Sequence, residues 1–288
     1  MGRLDKHRIA ANFGRAAKEY EQHAVLQKTV ADRLLERLDL VKISPGLVID
    51  IGAGTGTTAR ALATKYKAAK ILQIDLSLPM LQQSRTRSRK LFSRQQYLCA
   101  DAECLPVMTG KSDLVFSSLT LQWCNDLDRA FMESKRILSP GGLFFFATLG
   151  PDTLNELRSS WSLVDDKSHV NIFFDMHDIG DALVRAGMTG VVMDTESITM
   201  TYPDCYALMR DLKKVGALNA NNTRQKSITG KQKMQNMMNA YEKFRRDNGL
   251  PATYEVVYGH AWAPEREKMQ VGKQTAYVPI KNIGKHKS

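Results

Sequence analysis

The chain has 288 residues, of which 43% are hydrophobic, and it carries a formal net charge of +11. That length and apolar content are enough to bury the core of one large domain or of a domain with a subdomain, which excludes a disordered chain. No apolar run reaches the roughly 20 residues of a membrane span, and charges occupy residues 1–20, where a signal peptide has its apolar segment. We therefore expect a folded cytoplasmic protein.

The positive charge predicts attraction to something acidic, such as a nucleic acid, a membrane surface or an acidic protein. Charge alone does not choose among these partners. The cysteines show neither the C-x-x-C spacing of zinc sites nor a disulfide framework, and no histidines cluster beside them. We expect reduced, mostly buried thiols and no metal ion; the four are Cys99, Cys104, Cys124 and Cys205.

Two amphipathic helices are predicted between Lys6 and Leu40, where apolar residues recur at spacings of three and four. After "SPG" at 44–46, strand-like runs alternate with helical stretches. The strand-like runs are "LVIDI", "KILQID", "QQYLCAD", "DLVFSSLT" and "GLFFFATL", and the helical stretches cover 57–67, 78–91 and 127–138. This alternation predicts a parallel sheet covered by helices on both faces, with its ligand at the carboxyl ends of the strands.

The pattern changes after Gly150. We predict helices at 151–164 and 178–187, a long strand at 190–202, helices at 204–214 and 227–247, and a last strand at 253–263. This order fits a sheet domain with an inserted helical cap better than two independent domains. The predicted units are N-terminal helices over the active site (1–44), a ligand-binding core (45–150), the rest of the sheet (151–262) with the cap at about 204–247, and a basic, weakly ordered tail (263–288).

The stretch "VIDIGAGTG" at 48–56 places three glycines directly behind a strand-like run. Glycine allows a sharp turn and a close approach of the backbone to a ligand, although a tight turn without a ligand has the same composition. A dinucleotide loop needs a third glycine where Thr57 stands, and a phosphate loop needs a lysine that is absent nearby. A cofactor without phosphates is therefore favoured.

Three acids follow successive predicted strands. Asp50 lies two residues before the first glycine, where its carboxylate could receive a cationic amino group. Asp75 has the spacing of an acid that binds ribose hydroxyls, and Asp101 is placed to accept from an exocyclic amine. Each acid alone is more often a cap or turn residue, but together they describe a ligand with an ammonium group, a ribose and an adenine.

The combination resembles the S-adenosylmethionine-dependent methyltransferases of the seven-stranded Rossmann-like class. The likeness covers about 45–150 and includes the glycine loop, the three acids, "DLVFSSLTLQW" and "RILSPGGLFFFATLG". It implies an α/β fold with a seven-stranded, mostly parallel sheet, and S-adenosylmethionine as methyl donor without a metal. The cofactor contacts that it implies are Asp50, Gly52, Ala53, Gly54 and Gly56 for the methionine part, Asp75 and Leu76 for the ribose, Asp101 and Ala102 for the adenine, and Ser117.

The sequence argues against methylation of a nucleic-acid base. Enzymes that methylate exocyclic amines carry N-P-P-[YF] after the fourth strand, where this chain has "SSLTLQW". The C5-cytosine class needs a nucleophilic cysteine after a proline, and the chain has no such dipeptide. We therefore expect neither nucleic acid nor a membrane as partner.

Segments outside the core resemble the BioC family, the malonyl-[acyl-carrier-protein] O-methyltransferases of biotin synthesis. They are "FGRAAKEYEQHAVLQ", "LGPDTLNELRSSW", "VDDKSHVNIFFDMHDIGDALVRAG" and "LMRDLKKVGALNAN", and the likeness extends to about residue 262. It implies methylation of the free malonyl carboxylate on an acidic acyl carrier protein or on coenzyme A. One departure is Leu218, where the family pattern "GAHN" has a histidine.

Acceptor contacts are expected in the segments that differ from the generic class. The main candidates are Tyr20 in the second helical stretch, Trp123 after the fourth strand and Arg210 in the cap, which we expect to bind the malonyl carboxylate. No general base is required, because that carboxylate is already ionised at neutral pH. Weaker candidates are His23, His169, Asn171 and His177.

A basic face of the cap is a candidate surface for the acidic carrier. It consists of Arg210, Lys213, Lys214, Arg224, Lys226, Lys231 and Lys233. Three alternatives stay open at this point: an arginine hydroxylase like the related assembly factor of mitochondrial complex I, a cofactor-binding protein without catalysis, and an RNA methyltransferase.

Overall fold

The computed structural model describes residues 3–88, 94–222 and 230–265. Three helices precede the sheet: α1 (Lys6–Ala16), α2 (Tyr20–His23) and α3 (Val25–Leu38). Asp5 caps α1 by accepting a hydrogen bond from the Arg8 backbone N–H. The second predicted helix is divided in two because Ala24 has a non-helical backbone, with ψ at 50°.

Seven strands form one sheet in the order β3-β2-β1-β4-β5-β7-β6. The strands are β1 (Leu47–Ile51), β2 (Lys70–Asp75), β3 (Gln95–Cys99), β4 (Ser112–Ser118), β5 (Leu138–Leu149), β6 (Thr189–Tyr202) and β7 (Leu250–Trp262). The first five are parallel, and β7 runs antiparallel between β5 and β6. The predicted fold class is confirmed, and strand order reverses between β1 and β4.

The other helices connect the strands or follow them. They are α4 (Thr57–Lys65), α5 (Leu78–Arg87), α6 (Leu127–Ile137), α7 (Asn155–Ser162), α8 (Met176–Arg185), α9 (Cys205–Lys214) and α10 (Lys231–Tyr241), with short 3-10 helices at Leu121–Trp123 and Glu242–Phe244. The first residues of the predicted helix at 227–247 lie outside the described residues. Arg224, Lys226 and the tail beyond residue 265 also lie outside them.

The core lies on both faces of the sheet because successive strand residues point to opposite sides. On β5, Leu143 and Phe145 pack with α3, α7, α9 and α10, whereas Phe144 and Phe146 pack with α6 and α8. Both faces are therefore apolar, as the strand runs predicted. No helix of the described residues is long and apolar enough to cross a membrane.

The cysteine prediction is only half right. Cys124 and Cys205 are buried free thiols, but Cys99 and Cys104 are exposed. Cys99 ends the edge strand β3, so no further strand covers it.

Candidate active site

The glycine loop leaves the carboxyl end of β1 beside the point where strand order reverses. Gly52, Gly54 and Gly56 have φ of 73°, 54° and 81°, in the left-handed region that glycine adopts without strain. The backbone N–H groups of Gly52 and Ala53 donate to the Ile74 carbonyl at 2.7 and 3.0 Å. The loop is thereby held against β2.

Asp75 at the end of β2 connects the glycine loop to the next helix. Its Oδ2 accepts from the Gly54 N–H at 2.8 Å, and its Oδ1 accepts from the Ser77 N–H at 2.7 Å. Burial raises the pKa of Asp75, and these two hydrogen bonds oppose that shift. The backbone donors therefore hold the carboxylate in place at the carboxyl edge.

Asp50 is a buried carboxyl group whose charge lacks a partner. It is 1% exposed, and its Oδ2 has no hydrogen-bond partner in the described part of the chain. Burial, with the nearby charge of Asp75, raises the pKa of Asp50 to about 8. A cationic group beside Asp50 would favour its ionised form, so the residues present fit the ammonium group of S-adenosylmethionine.

Two cavities meet at the glycine loop. Cavity A, of about 90 Å³, is lined by six of the predicted cofactor residues: Gly52, Gly54, Asp75, Leu76, Asp101 and Ala102. Cavity B, of about 340 Å³, lies between α2, α3 and the loop, and Ala53 lines it. Tyr20, Gly52, Gly54 and Ser118 line both cavities, so together A and B form one continuous candidate site for the cofactor.

Besides Asp50, which lines neither cavity, two predicted cofactor residues lie behind this surface. Ser117 is fully buried, and its hydroxyl donates to the Ile51 carbonyl at 3.1 Å, whereas its neighbour Ser118 lines the cavities. Gly56 packs against Ser84, whose Oγ would overlap a Cβ at that position. Both residues support the shape of the site from beneath.

Asp101 receives a contact that the sequence did not reveal. Lys6 Nζ of α1 lies 2.9 Å from Asp101 Oδ1 and 2.7 Å from Glu103 Oε1, and Lys6 lines cavity A. These charges lie about 95 residues apart in the chain, so no local pattern connects them. The ion pairs hold α1 over the Asp101 end of the candidate cofactor site.

Glu21 of α2 was also missed. Its Oε1 accepts from Thr55 Oγ1 at 2.7 Å and from Arg60 at 2.9 Å, and Arg87 lies 2.9 Å away. The first contact joins α2 to the glycine loop. The N-terminal helices therefore cover the cofactor site through side-chain contacts at both of its ends.

A third cavity, C, lies on the other side of Tyr20. Its volume is about 320 Å³, and segments from α2, α3, α7, α9, β6 and β7 line it. Tyr20 lines all three cavities, while Phe13 and Trp123 line both A and C. Phe13 packs edge-on against the other two rings, with centroids 6.4 Å from Tyr20 and 5.4 Å from Trp123. These aromatic side chains mark the junction of cavity C with the candidate cofactor site.

The structure brings most predicted acceptor residues to cavity C, but not all of them. Tyr20, Trp123, His23, His169 and Asn171 line it, and so does Leu218, the position that departs from the family pattern. Arg210 is exposed on α9 and does not line the cavity, so the prediction that it binds the acceptor carboxylate is not supported. Adjacent helical residues point about 100° apart, and α9 turns Met209 and Leu212 inward instead. His177 is likewise exposed, at the start of α8.

Cavity C is almost free of fixed positive charge. No lysine or arginine is among its described lining residues. In the described ranges, no group of three or more His, Cys, Asp or Glu side chains could hold a metal ion. Asp211 is the one carboxylate among those lining residues, and its Oδ2 accepts from the Tyr202 hydroxyl at 2.8 Å. Hydrogen bonding by the other, uncharged side chains therefore dominates the recognition that C can offer.

Gly54→Ala should weaken cofactor binding strongly while it lowers the stability of the fold only slightly. A Cβ there meets nothing within 4 Å, although φ is +54°, so we expect a loss of about 1 kcal/mol and a melting temperature lower by about 3 °C. Cofactor affinity should fall at least tenfold, because the methyl group occupies space at the loop surface. Calorimetric titration and thermal melts measure both quantities.

Gly110→Ala is the matched control for this substitution. Gly110 has a φ of +68° and equally open surroundings, but it lies outside the three cavities. It should show the same loss of stability with unchanged cofactor affinity. Equal cofactor affinity in the Gly54→Ala variant and the wild type would contradict a cofactor site at this loop.

The strand order and the carboxyl-edge site define a methyltransferase domain, and a family model described as "Methyltransferase domain" matches residues 49–146. The crystal structure of a putative methyltransferase from Bacillus halodurans has the same fold. Its TM-score is 0.58 at 16% identity, covering 82% of this chain and 99% of that one.

Closer relatives define the family. Two are named malonyl-[acyl-carrier protein] O-methyltransferase: one from Gallionella capsiferriformans, 49% identical over 266 residues, and one from Laribacter hongkongensis, 49% identical over 279. The alignments cover 91% and 93% of this chain, and 92% and 94% of the relatives. The chain belongs to the malonyl-[acyl-carrier protein] O-methyltransferases, which confirms the resemblance.

Proposed function

We propose that this protein transfers a methyl group from S-adenosylmethionine to the free carboxylate of a malonyl thioester carried by an acyl carrier protein. The observation that carries the proposal is the meeting of cavities A, B and C at Tyr20. A carboxylate entering through C would reach the cofactor there. The close relatives, named for this activity, favour it over an arginine hydroxylase or an RNA methyltransferase.

The chain's own residues would bind and orient the two reactants. When bound, S-adenosylmethionine supplies the methyl group, which forms a bond to a carboxylate oxygen while the breaking C–S bond leaves its electron pair on sulfur. Asp50 would hold the ammonium group, the glycine loop the methionine part and Asp75 the ribose. Asp101, held by Lys6, would lie at the adenine. No proton is transferred, so the site requires no general base.

Tyr20 would orient the acceptor as a neutral hydrogen-bond donor. Burial, together with the charge of Asp75, raises the pKa of Tyr20 above its usual value, so the side chain stays a phenol at neutral pH. Its hydroxyl forms no hydrogen bond with another described residue. It is thus free to donate to the acceptor carboxylate at the junction of the cavities.

The absence of lysine and arginine from the described lining of cavity C suits this reaction. Methyl transfer brings a carboxylate and a sulfonium together, and both charges disappear. Opposite charges attract more strongly where water is excluded, and no lining lysine or arginine competes for the carboxylate. The sulfonium would therefore be the counter-ion of the acceptor carboxylate.

A labelled-methyl assay tests the proposal. The enzyme is incubated with methyl-labelled S-adenosylmethionine and, in separate reactions, malonyl carrier protein, malonyl-CoA or RNA. We expect a base-labile methyl ester on malonyl carrier protein; comparable turnover on malonyl-CoA would widen the acceptor to both thioesters. Label in RNA alone, or no transfer to either thioester, would overturn the proposal.

We place the reaction in the cytoplasm at the start of biotin synthesis, as the family resemblance implies. The methyl ester would convert a charged chain end into an apolar one. An elongating fatty-acid enzyme could then accept it as an ordinary acyl chain.

The basic cap surface should steer the acidic carrier. Of its described members, Arg210, Lys213, Lys214 and Lys231 are exposed, and Lys233 is half-buried and paired with Asp165. The first three lie on α9, which also lines cavity C. The association rate should fall about tenfold between 50 and 300 mM salt, because the Debye length shrinks below about 10 Å. Stopped-flow measurement with labelled carrier gives this rate.

Charge reversal locates the effect. Lys213→Glu with Lys214→Glu should slow association about tenfold at 50 mM salt. Lys70→Glu with Lys111→Glu, at the amino ends of β2 and β4, changes the net charge equally and should have a much smaller effect. Equal slowing by both pairs, or a rate independent of salt, would remove the steering idea.

A further inference from the structure

Cavity C is larger than the reacting group requires. The methyl group is transferred at the junction with A, so a malonyl carboxylate occupies only the end of C beside Tyr20 and Trp123. The whole cavity measures about 320 Å³, within the size range of sites for drug-sized ligands. The remainder of C therefore has room for a longer part of the acceptor.

His169 lies in that remainder and is held rigidly. It lines C but neither A nor B, and its side chain is 15% exposed. Its ring stacks on Trp161 with centroids 3.7 Å apart and planes 8° from parallel. Its Nε2 lies 2.8 Å from Asp165 Oδ1. One face and one nitrogen of the imidazole are thus occupied by the protein.

Asp165 keeps the imidazole in one orientation. Lys233 Nζ of α10 lies 2.9 Å from the second carboxylate oxygen. The hydrogen bond from Lys233 has the largest effect on the pKa of Asp165, and the one from His169 has the next largest. Together they hold that pKa well below its usual range. Because the carboxylate can only accept, the His169 Nε2–H donates a hydrogen bond to Asp165 Oδ1. The Nδ1 atom has no hydrogen-bond partner among the described residues, so it is available to a ligand.

Asn171, two residues along, carries a second unused polar atom. The residue lines C and is 8% exposed, and its buried Oδ1 has no hydrogen-bond partner within the described ranges. An unsatisfied buried acceptor costs about 1–3 kcal/mol, which a donor on a ligand would recover. His169 and Asn171, two positions apart on one wall of C, therefore carry hydrogen-bonding atoms that no other described residue uses.

The rest of the wall indicates what kind of ligand these atoms meet. Leu157, Phe173, Leu212 and Val215 make it apolar, and Asn219 adds a further amide. The absence of lysine and arginine from the described lining disfavours a phosphate or a second carboxylate in C. A neutral chain with amide groups separated by apolar segments fits this composition.

We propose that His169 and Asn171 bind the amide groups of the pantetheine arm that carries the malonyl thioester through cavity C. The proposal rests on the proposed function for the identity of the acceptor. Asp165 and Lys233 act as positioning residues, because they reach the arm only through the His169 ring. The arm's first polar groups hydrogen-bond to this wall, and its reactive end reaches Tyr20.

Two substitutions at His169 distinguish ligand binding by its Nδ1 atom from support of the fold by its bond to Asp165. In His169→Asn the side-chain amide replaces Nδ1 and the bond to Asp165 is lost, whereas in His169→Gln the amide replaces Nε2 and the group at Nδ1 is lost. We expect the glutamine variant to keep a wild-type melting temperature while its KM for malonyl carrier protein rises about five- to tenfold. The asparagine variant should keep KM within about threefold while melting at a lower temperature. If His169 only supported the fold, KM would rise more in the asparagine variant than in the glutamine variant.

Asn171→Leu provides a test of opposite sign. Replacing the unsatisfied amide with an apolar side chain of similar size should leave stability equal or higher, and KM should rise about fivefold. In all three variants kcat at saturating acceptor and the calorimetric Kd for S-adenosylmethionine should stay within twofold of wild type. KM values within twofold of wild type for both His169→Gln and Asn171→Leu would overturn the proposal.

Pantetheine alone distinguishes this proposal from the proposed function. Its binding is measured without methyl transfer, by quenching of tryptophan fluorescence, since Trp123 and Trp161 line C. Pantetheine that binds to wild type and weakens about fivefold in His169→Gln supports the arm site even if the malonyl assay fails. Normal methylation of malonyl carrier protein, with pantetheine bound equally by both proteins, contradicts the arm site alone.

Discussion

Asp50→Asn should lower the affinity for S-adenosylmethionine at least 100-fold and stabilise the cofactor-free protein at alkaline pH. The carboxylate is buried, and its Oδ2 has no partner in the described chain, so the cofactor's ammonium group would be its counter-ion. Removing one member of a buried charge pair costs about 3–5 kcal/mol, which corresponds to a loss of at least 100-fold in affinity. The neutral amide preserves shape and removes the charge.

The effect on stability has the opposite sign because the pKa of Asp50 is raised to about 8 in the folded protein. Between about pH 4 and pH 8 the folded state retains a proton that the unfolded chain has released, so wild-type stability falls as pH rises through this range. The loss is complete above about pH 8, with an upper bound of about 6 kcal/mol. Asparagine binds no proton, so the Asp50→Asn variant does not undergo this loss of stability.

Calorimetric titration and chemical denaturation at pH 5 and pH 8.5 measure both effects. The stability gained by Asp50→Asn should be small at pH 5 and largest at pH 8.5. Asp39→Asn is the control, since that carboxylate is exposed in an ion pair with Lys65 and should change neither cofactor affinity nor the pH dependence. Wild-type affinity in Asp50→Asn would exclude the proposed ammonium site.

Tyr20→Phe should reduce kcat for malonyl carrier protein about 10- to 100-fold. The ring would still pack against Phe13, but the hydroxyl that we assign to the acceptor carboxylate would be absent. A hydrogen bond to a charged group contributes about 1.5–3 kcal/mol, and misorientation of the carboxylate at the reacting methyl adds to the loss. Cofactor affinity should change less than threefold.

The pH dependence gives a second readout for Tyr20. Because burial raises the pKa of its phenol above the usual value, wild-type kcat should stay level up to at least pH 9. Steady-state kinetics with saturating cofactor measures it. Tyr206→Phe, on the exposed side of α9, should match wild type. A kcat for Tyr20→Phe within twofold of wild type would exclude the hydroxyl from acceptor positioning.

Several site residues could be read from local sequence because the structure around them is local. The glycines at 52, 54 and 56 adopt the left-handed backbone that their spacing behind a strand predicts. Asp75 and Asp101 follow strand ends, and parallel strands bring their carboxyl ends to one edge of the sheet. The depth of Asp50 and its missing partner needed the structure, since burial depends on every layer packed around it.

Arg210 shows where local pattern stops being sufficient. The basic, helical character of 204–214 was predicted correctly as α9, but which side of that helix faces the cavity depends on how it packs against β6 and α2. A rotation of about 100° between neighbours separates an acceptor contact from an exposed arginine. The contacts of Lys6 and Glu21 were missed for a related reason, since their partners lie far away in sequence.

The sequence alone sufficed for the sheet, the cofactor loop and the family, because strand alternation, glycine backbone and acid spacing act over a few residues. Cavity C, the candidate acceptor site, required the folded chain, because many segments far apart in sequence surround it and no short motif encodes their packing. The same holds for the His169 wall, where Asp165 and Lys233 are about 68 residues apart and meet only when α10 packs beside α7. Long-range packing thus formed cavity C, which we propose as the acceptor site.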